Sequence, residues 1–285
     1  MTSVDETVVV IGAGTMGLGI AQSLLQIGAT VWLTDANAAT AEAARGRIAD
    51  GLLRRYKSEP DPRLRVDEDL ERLRVNLGPA LDARPGLVIE AVPEIPALKA
   101  TVLAEAEASY PDTAVLASNT SSLSITGLAA SLARPDRFIG MHFFNPVPVS
   151  LLVELVLGAA TSSDTVARSR SWVARLGKES IEVHDAPGFA TSRLGIALGL
   201  EAIRMVEAGV ASPEDIDKGM TLGYKHPTGP LRLTDLVGLD VRLGIAEHLA
   251  GELGPRFEPP QLLRDMVAAG KLGRKSGEGF YQWNS

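Results

Sequence analysis

Val8, Val9, Val10 and Ile11 form an unbroken apolar run that ends on a glycine-rich turn, Gly12-Ala13-Gly14-Thr15-Met16-Gly17. Beyond the turn the apolar positions change period, with Met16, Ile20, Leu24 and Ile27 recurring at helical spacing. A continuous β-branched run is the pattern of a strand buried on both faces, and the longer period is that of a helix. A second strand is expected over Thr30–Thr34, ending on Asp35. The alternation then continues. The pattern predicts a long helix over Ala38–Lys57, stopped by Glu59-Pro60-Asp61-Pro62, a short helix over Asp67–Leu73 and a short strand over Arg74–Leu77. A buried strand follows over Leu87–Val92, then a helix over Pro96–Ser109 and a strand over Ala114–Ala117. Strands alternating with helices predict an α/β fold, a doubly wound sheet with a ligand crevice at the carboxyl ends of its strands.

The rhythm changes twice. Arg137–Phe144 and Leu151–Leu157 both read as strands with no helix between them, which predicts an antiparallel pair. A helix over Asp164–Leu176 and a strand over Ser180–Val183 follow. After Pro187-Gly188 only helical periods remain, over Phe189–Ala208, Pro213–Leu222, Thr234–Leu253 and Pro260–Ala269. Two domains are therefore expected, an α/β domain over 1–187 and a smaller all-α C-terminal domain over 188–285. Leu194, Ile196, Ala197, Leu198, Leu200 and Ile203 exceed what one amphipathic stripe needs, so that helix packs on the first domain or forms a subunit interface.

Composition narrows the class of partner. The 285 residues carry a net charge of −7, which argues against nucleic acid and anionic membrane as partners. There is no cysteine, and the four histidines show no H-x-x-x-H spacing, so no metal site is expected. Thr7–Thr34 is uncharged, but its five glycines and two glutamines fit strand, turn, helix and strand better than a membrane span. Asp5 and Glu6 stand where a signal peptide would be basic, so the expected location is the cytoplasm.

The chemistry-bearing residues fall at the strand ends. Gly12, Gly14 and Gly17 complete a G-x-G-x-x-G turn, with Thr15 and Met16 opening the helix whose N–H groups would face a pyrophosphate. Asp35 stands where an acid pairs with the ribose hydroxyls of NAD and repels the extra phosphate of NADP; its alternative role is to cap the next helix. Glu94 and the loop Ser118–Ser122 lie just past strand ends and should face the same crevice. His142 and Glu154 are equidistant from Pro148, so a turn there would set them opposite each other, a carboxylate against a general base. Ser121 and Asn119 are placed to hold a substrate oxygen, or else to cap a helix beginning near Ser124. Arg47, Arg54 and Lys57 make one helix face basic, either as a solvated surface or as a seat for phosphates.

With these motifs in order, the chain resembles the L-3-hydroxyacyl-CoA dehydrogenases of the 3-hydroxybutyryl-CoA dehydrogenase type. The likeness runs through Gly12–Gly17, Glu90-Ala-Val-Pro-Glu94 with Lys99, Ser118–Leu123, and His142-Phe-Phe-Asn-Pro-Val-Pro148. It continues through Leu152-Val-Glu154, Leu176-Gly-Lys178, Pro187-Gly-Phe189, His226–Pro230, Asp235–Asp240 and Gly273–Tyr281, nearly the whole chain. The resemblance implies a Rossmann-type domain and an NAD-dependent oxidoreductase of acyl-CoA thioesters in fatty acid metabolism and beta-oxidation. In it His142 is the base, Glu154 its partner and Ser121 a contact to the substrate hydroxyl. Glu94, Lys99, Asn119, Ser121, Asn145 and Lys275 would lie on the cofactor, and Ser192 in the catalytic site. Substrate would bind between the domains, and the helical domain would form a homodimer.

Three stretches depart from the family pattern. Gly188-Phe-Ala-Thr-Ser192-Arg193 has serine where the family carries asparagine; Val149-Ser-Leu-Leu-Val-Glu154 replaces Val-Met-Lys-Leu-Val-Glu; and Thr228 stands in His226-Pro-Thr-Gly-Pro230 where many members have methionine. Two other readings keep part of the pattern, a dehydrogenase of a free hydroxy acid such as gulonate or carnitine, and a non-catalytic NAD-binding protein.

Overall fold

A computed structural model of the chain describes residues 7–110 and 113–283. Asp5 and Glu6 lie outside the described residues. The chain divides into two compact units, Met1–Asp185 and Ala186–Ser285.

The first unit runs β1 (Thr7–Ile11), α1 (Thr15–Gln26), β2 (Thr30–Asp35), α2 (Ala38–Tyr56), α3 (Pro62–Leu70), β3 (Leu73–Leu77) and β4 (Leu87–Glu90). It continues through α4 (Pro96–Ser109), β5 (Val115–Ser118), α5 (Ile125–Ala129), β6 (Phe138–Phe143), β7 (Leu152–Leu157), α6 (Ser163–Arg175) and β8 (Glu179–His184). The eight strands form one sheet in the order β3-β2-β1-β4-β5-β6-β7-β8, parallel at every junction except β6 with β7. The order reverses at β1, whose neighbours are β2 and β4, and the crevice opens past the ends of β1 and β4. The unbroken apolar runs follow from this layering: Val8 and Val10, Val31 and Leu33, and Leu87 and Ile89 are all fully buried in one core.

The expected short helix over Asp67–Leu73 is corrected to α3, which starts five residues earlier at Pro62 and ends at Leu70. The run read as a helix stop is also a helix start. The Asp61 side chain accepts the Leu64 N–H at 3.1 Å, and Pro62 occupies the first helical position, where its missing N–H costs nothing.

The second unit is helical, with α7 (Thr191–Glu207), α8 (Pro213–Lys218), α9 (Pro230–Val237), α10 (Leu239–Leu253) and α11 (Gln261–Ala268). Its core joins Ile196, Leu200 and Ile203 of α7 to Leu231, Leu239, Ala246, Leu249 and Leu263. The expected continuous helix over Thr234–Leu253 is two helices, because Gly238 takes a φ of 106° and interrupts the ladder. The helix expected over Pro213–Leu222 leaves the α pattern after Lys218 and continues as a wider π turn over Gly219–Gly223. Two buried carboxylates hold the C-terminal segment. Asp217 accepts the Tyr281 hydroxyl at 2.8 Å. Asp235 accepts the N–H groups of Phe280 and Tyr281 and the Trp283 indole N–H, each within 2.9 Å. An acid buried in an apolar unit needs such donors, and here they fasten the tail.

Candidate active site

The glycine turn is shaped by close approach. A Cβ on Gly17 would stand 1.8 Å from the Gly12 carbonyl oxygen, so α1 packs on the turn only through glycine. Gly14 is the N-cap of α1; it has no side chain to satisfy the first-turn N–H groups, and no acid stands in that turn. A Cβ there would meet nothing within 4 Å. The result is a helix start with unsatisfied donors and open space before it, the setting for a phosphate.

A cavity of about 630 Å³ runs from this turn past Asp35 and Val92 to Leu98 and Val102 of α4. The Asp35 carboxylate accepts the Ala13 N–H at 2.8 Å through one oxygen and the Asn37 N–H at 2.8 Å through the other. It therefore ties the end of β2 to the glycine turn. It does not cap α2; Asn37 does, accepting the Thr40 N–H at 3.0 Å. An apolar slot, an acid at its rim and a bare helix N-terminus fit a dinucleotide.

The loop past β5 is organised by two carboxylates from the end of β4. Glu94 Oε1 accepts the Thr120 hydroxyl at 2.6 Å, the Ser121 N–H at 2.9 Å and the Ser122 N–H at 3.2 Å. The Ser121 hydroxyl donates to it at 3.3 Å. Desolvation would raise the Glu94 pKa, but the Lys99 charge and these donors outweigh it and hold the carboxyl below its ordinary value. Lys99 is 1% exposed and bonds Glu90 Oε1 at 2.7 Å, with Glu94 Oε2 at 3.3 Å. Lys99 is thus set beneath the loop, and its link to the crevice runs through Glu94. Glu90, fully buried, also accepts the Ser118 hydroxyl at 2.5 Å and the Val92 N–H at 2.6 Å. The sequence placed Thr120 in the crevice loop and Glu90 in the matching stretch Glu90–Glu94, but assigned neither a role of its own. Glu90 read as part of a buried strand, and the signal available was an acid at a strand end nine residues before a lysine.

Asn119 Oδ1 accepts the Phe143 N–H at 2.9 Å, which fastens this loop to β6. The helix cap foreseen as an alternative for Asn119 or Ser121 is supplied by Ser124, whose hydroxyl accepts the Gly127 N–H at 2.9 Å.

Strands β6 and β7 pair with His142 opposite Glu154. His142 Nδ1 lies 2.7 Å from Glu154 Oε2, and the Glu154 side chain is fully buried. The pair stands at the crevice end of β6, with the Phe144 ring 4.4 Å from the imidazole. A buried carboxylate on Nδ1 fixes the tautomer and stabilises the imidazolium.

Arg47, Arg54 and Lys57 of α2 and its end line a second cavity of about 760 Å³, together with Thr15, Asn145 and Pro148. Arg45, from the same basic run, is instead spent on the Leu70 and Leu73 carbonyls. In the second unit, Ser192 lies half-buried in the first turn of α7, and Lys275 bonds Asp240 at 2.6 Å. Among the described residues no cluster of His, Asp or Glu has the makings of a metal site, and no helix is long and apolar enough to cross a membrane.

Residues 7–186 match the model of the 3-hydroxyacyl-CoA dehydrogenase NAD binding domain, and residues 188–283 that of the 3-hydroxyacyl-CoA dehydrogenase C-terminal domain. A probable 3-hydroxybutyryl-CoA dehydrogenase of Bacillus subtilis is 42% identical over 98% of this chain and 97% of its own. The 3-hydroxybutyryl-CoA dehydrogenase of Mycobacterium tuberculosis is 43% identical over 99% of this chain and all of its own. The crystal structure of (S)-3-hydroxybutyryl-CoA dehydrogenase from Ralstonia eutropha superposes with a TM-score of 0.92 at 42% identity, covering 99% of this chain and 100% of that one. The chain belongs to the 3-hydroxyacyl-CoA dehydrogenase family and is an NAD-dependent oxidoreductase.

Proposed function

We propose that the chain interconverts a short-chain L-3-hydroxyacyl-CoA, such as 3-hydroxybutyryl-CoA, with the 3-ketoacyl-CoA. The buried pairing of His142 with Glu154 carries this reading. With Nδ1 committed to Glu154, the hydroxyl proton of the substrate passes to Nε2, and the Glu154 charge stabilises the cation that forms. The bound NAD would supply the acceptor for the hydride that leaves the carbon bearing this hydroxyl. Ser121 and Asn119 hold the substrate oxygen and the nicotinamide end, with Glu94 keeping their loop in place. Gly12, Gly14, Thr15, Met16 and Gly17 receive the pyrophosphate, and Asp35 the adenine ribose. Asn145 and Lys275 complete the cofactor contacts, and Ser192 donates to the reacting oxygen. Arg47, Arg54 and Lys57 receive the phosphates of CoA, which supports a thioester over a free hydroxy acid. The relatives named for 3-hydroxybutyryl-CoA support the same choice.

The domains act as a cofactor domain over 1–187 and a substrate and dimerisation domain over 188–285. The exposed Leu194, Leu233, Val237 and Val241 of the second unit support a homodimer through that domain. The cysteine-free composition supports a cytoplasmic enzyme, and the relatives named for 3-hydroxybutyryl-CoA support a place in fatty acid metabolism. The deciding assay offers acetoacetyl-CoA with NADH, and 3-hydroxybutyryl-CoA, gulonate and carnitine with NAD. Turnover of the thioesters alone is expected; turnover confined to a free hydroxy acid overturns the reading.

A further inference from the structure

Lys178 is a buried ammonium, 8% exposed, and no carboxylate pairs with it among the described residues. Its Nζ donates to two main-chain carbonyls instead, Val147 at 2.7 Å and Ser150 at 2.5 Å. The next residue, Glu179, donates its N–H to the Leu151 carbonyl at 2.7 Å. One short segment at the start of β8 thus satisfies three carbonyls of the turn between β6 and β7. Inside the turn, the Val149 and Ser150 N–H groups both donate to the Pro146 carbonyl, at 3.1 and 3.0 Å. Val147 is 2% exposed and seated on α1, where a Cβ on Gly19 would stand 2.9 Å from its own Cβ. Pro148 and Val149 form the wall of the cavity that faces Arg47 and Arg54.

Burial pushes the Lys178 pKa down, and an apolar side chain would fill the same space without a desolvation cost. What such a side chain lacks is the pair of donors. Ordering a turn of several residues costs conformational entropy that local bonds alone rarely offset. The catalytic register needs no help from it, because the ladder Gly140–Phe143 with Val153–Val156 holds His142 against Glu154.

We propose that Lys178 is a positioning residue that clamps the Pro146–Ser150 turn into a fixed wall of the second cavity and thereby sets affinity for acyl-CoA, without touching the reacting atoms. The proposal rests on reading that cavity as the CoA phosphate seat.

Because the chain has no cysteine, Lys178→Cys creates a single thiol. Alkylating it in the unfolded full-length chain with 2-bromoethylamine, then refolding, gives a near-isostere of lysine; 1-iodopropane gives the same length without the ammonium. Wild-type protein carried through the same cycle is the control. In the propyl protein the Val149 and Ser150 amides should exchange faster, and KM for acetoacetyl-CoA should rise about tenfold with kcat within about threefold. The aminoethyl protein should restore both. Unchanged exchange or unchanged KM overturns the proposal, and so does a joint loss of kcat and NADH affinity, which marks a general structural role. If the propyl protein does not refold, Lys178→Gln expressed directly carries the same measurements, since its shorter amide reaches at most one carbonyl; an unchanged KM then overturns the clamp. Wild-type KM for acetoacetyl-pantetheine separates the two readings. If it equals that for acetoacetyl-CoA, the phosphate seat fails on its own and takes the affinity claim with it, while exchange and rescue still decide whether Lys178 holds the turn.

Discussion

Asn119 accepts the Phe143 N–H at 2.9 Å, so the loop that carries Ser121 is bonded to the residue directly after His142. Two crevice elements from β5 and β6 are thereby kept in one geometry. Asn119→Ala should lower kcat by up to about 100-fold, the scale on which a misplaced group slows an oriented reaction. Asn119→Asp keeps the acceptor and loses the amide donor. If the amide also serves the cofactor or substrate, the aspartate variant will be as slow as the alanine one; if only positioning matters, it will match wild type.

His142→Gln should lose at least about 100-fold in kcat with NADH binding nearly unchanged, the usual scale for a general base. Glu154→Gln should cost less, because an amide still accepts from Nδ1 but no longer stabilises the cation. Stopped-flow turnover with fluorescence titration of NADH checks both. A histidine variant within a few-fold of wild type would reduce His142 to a structural residue.

Asp35 should enforce NAD over NADP, since its carboxylate repels a 2′-phosphate. It also holds the Ala13 N–H of the glycine turn. Asp35→Ala should therefore narrow the NAD to NADP ratio of kcat/KM and also lower stability by about 1 kcal/mol, the net worth of a lost hydrogen bond. Wild-type preference for NADP would remove the ribose role from Asp35.

Arg47, Arg54 and Lys57 share one cavity wall. Reversing their charge should raise KM for acetoacetyl-CoA and leave KM for acetoacetyl-pantetheine nearly unchanged, because only the first carries phosphates. An equal effect on both substrates would return the cluster to a solvated face.

Ser192 occupies the first turn of α7 where the family carries asparagine. A serine hydroxyl donates as an amide does, but from a shorter side chain. Ser192→Asn should raise turnover of 3-hydroxybutyryl-CoA about tenfold, within what one oxyanion donor is worth. A sharp fall would mean that the pocket is built around serine for another substrate.

Much of this protein follows from sequence alone. The alternation of apolar runs with helical periods determines the doubly wound sheet, because a strand buried on both faces favours a nearly continuous apolar run. The spacing of His142 and Glu154 about Pro148 determines their pairing, because an antiparallel ladder sets residues equidistant from a turn opposite each other. Where local signals served two purposes, the pattern misled. The run Glu59–Pro62, which reads only as a stop after α2, also holds the start of α3 at Asp61-Pro62, and Gly238 breaks a period that reads as continuous. What only tertiary structure decided is where the polar groups of buried residues find partners. Glu90 with Lys99, Glu94 with the loop Thr120–Ser122, and Lys178 with the Val147 and Ser150 carbonyls join residues from nine to thirty-one positions apart. No period encodes such pairs. Burial makes an unsatisfied charge too costly to leave, and which donor or acceptor meets it depends on which loops the sheet order brings together.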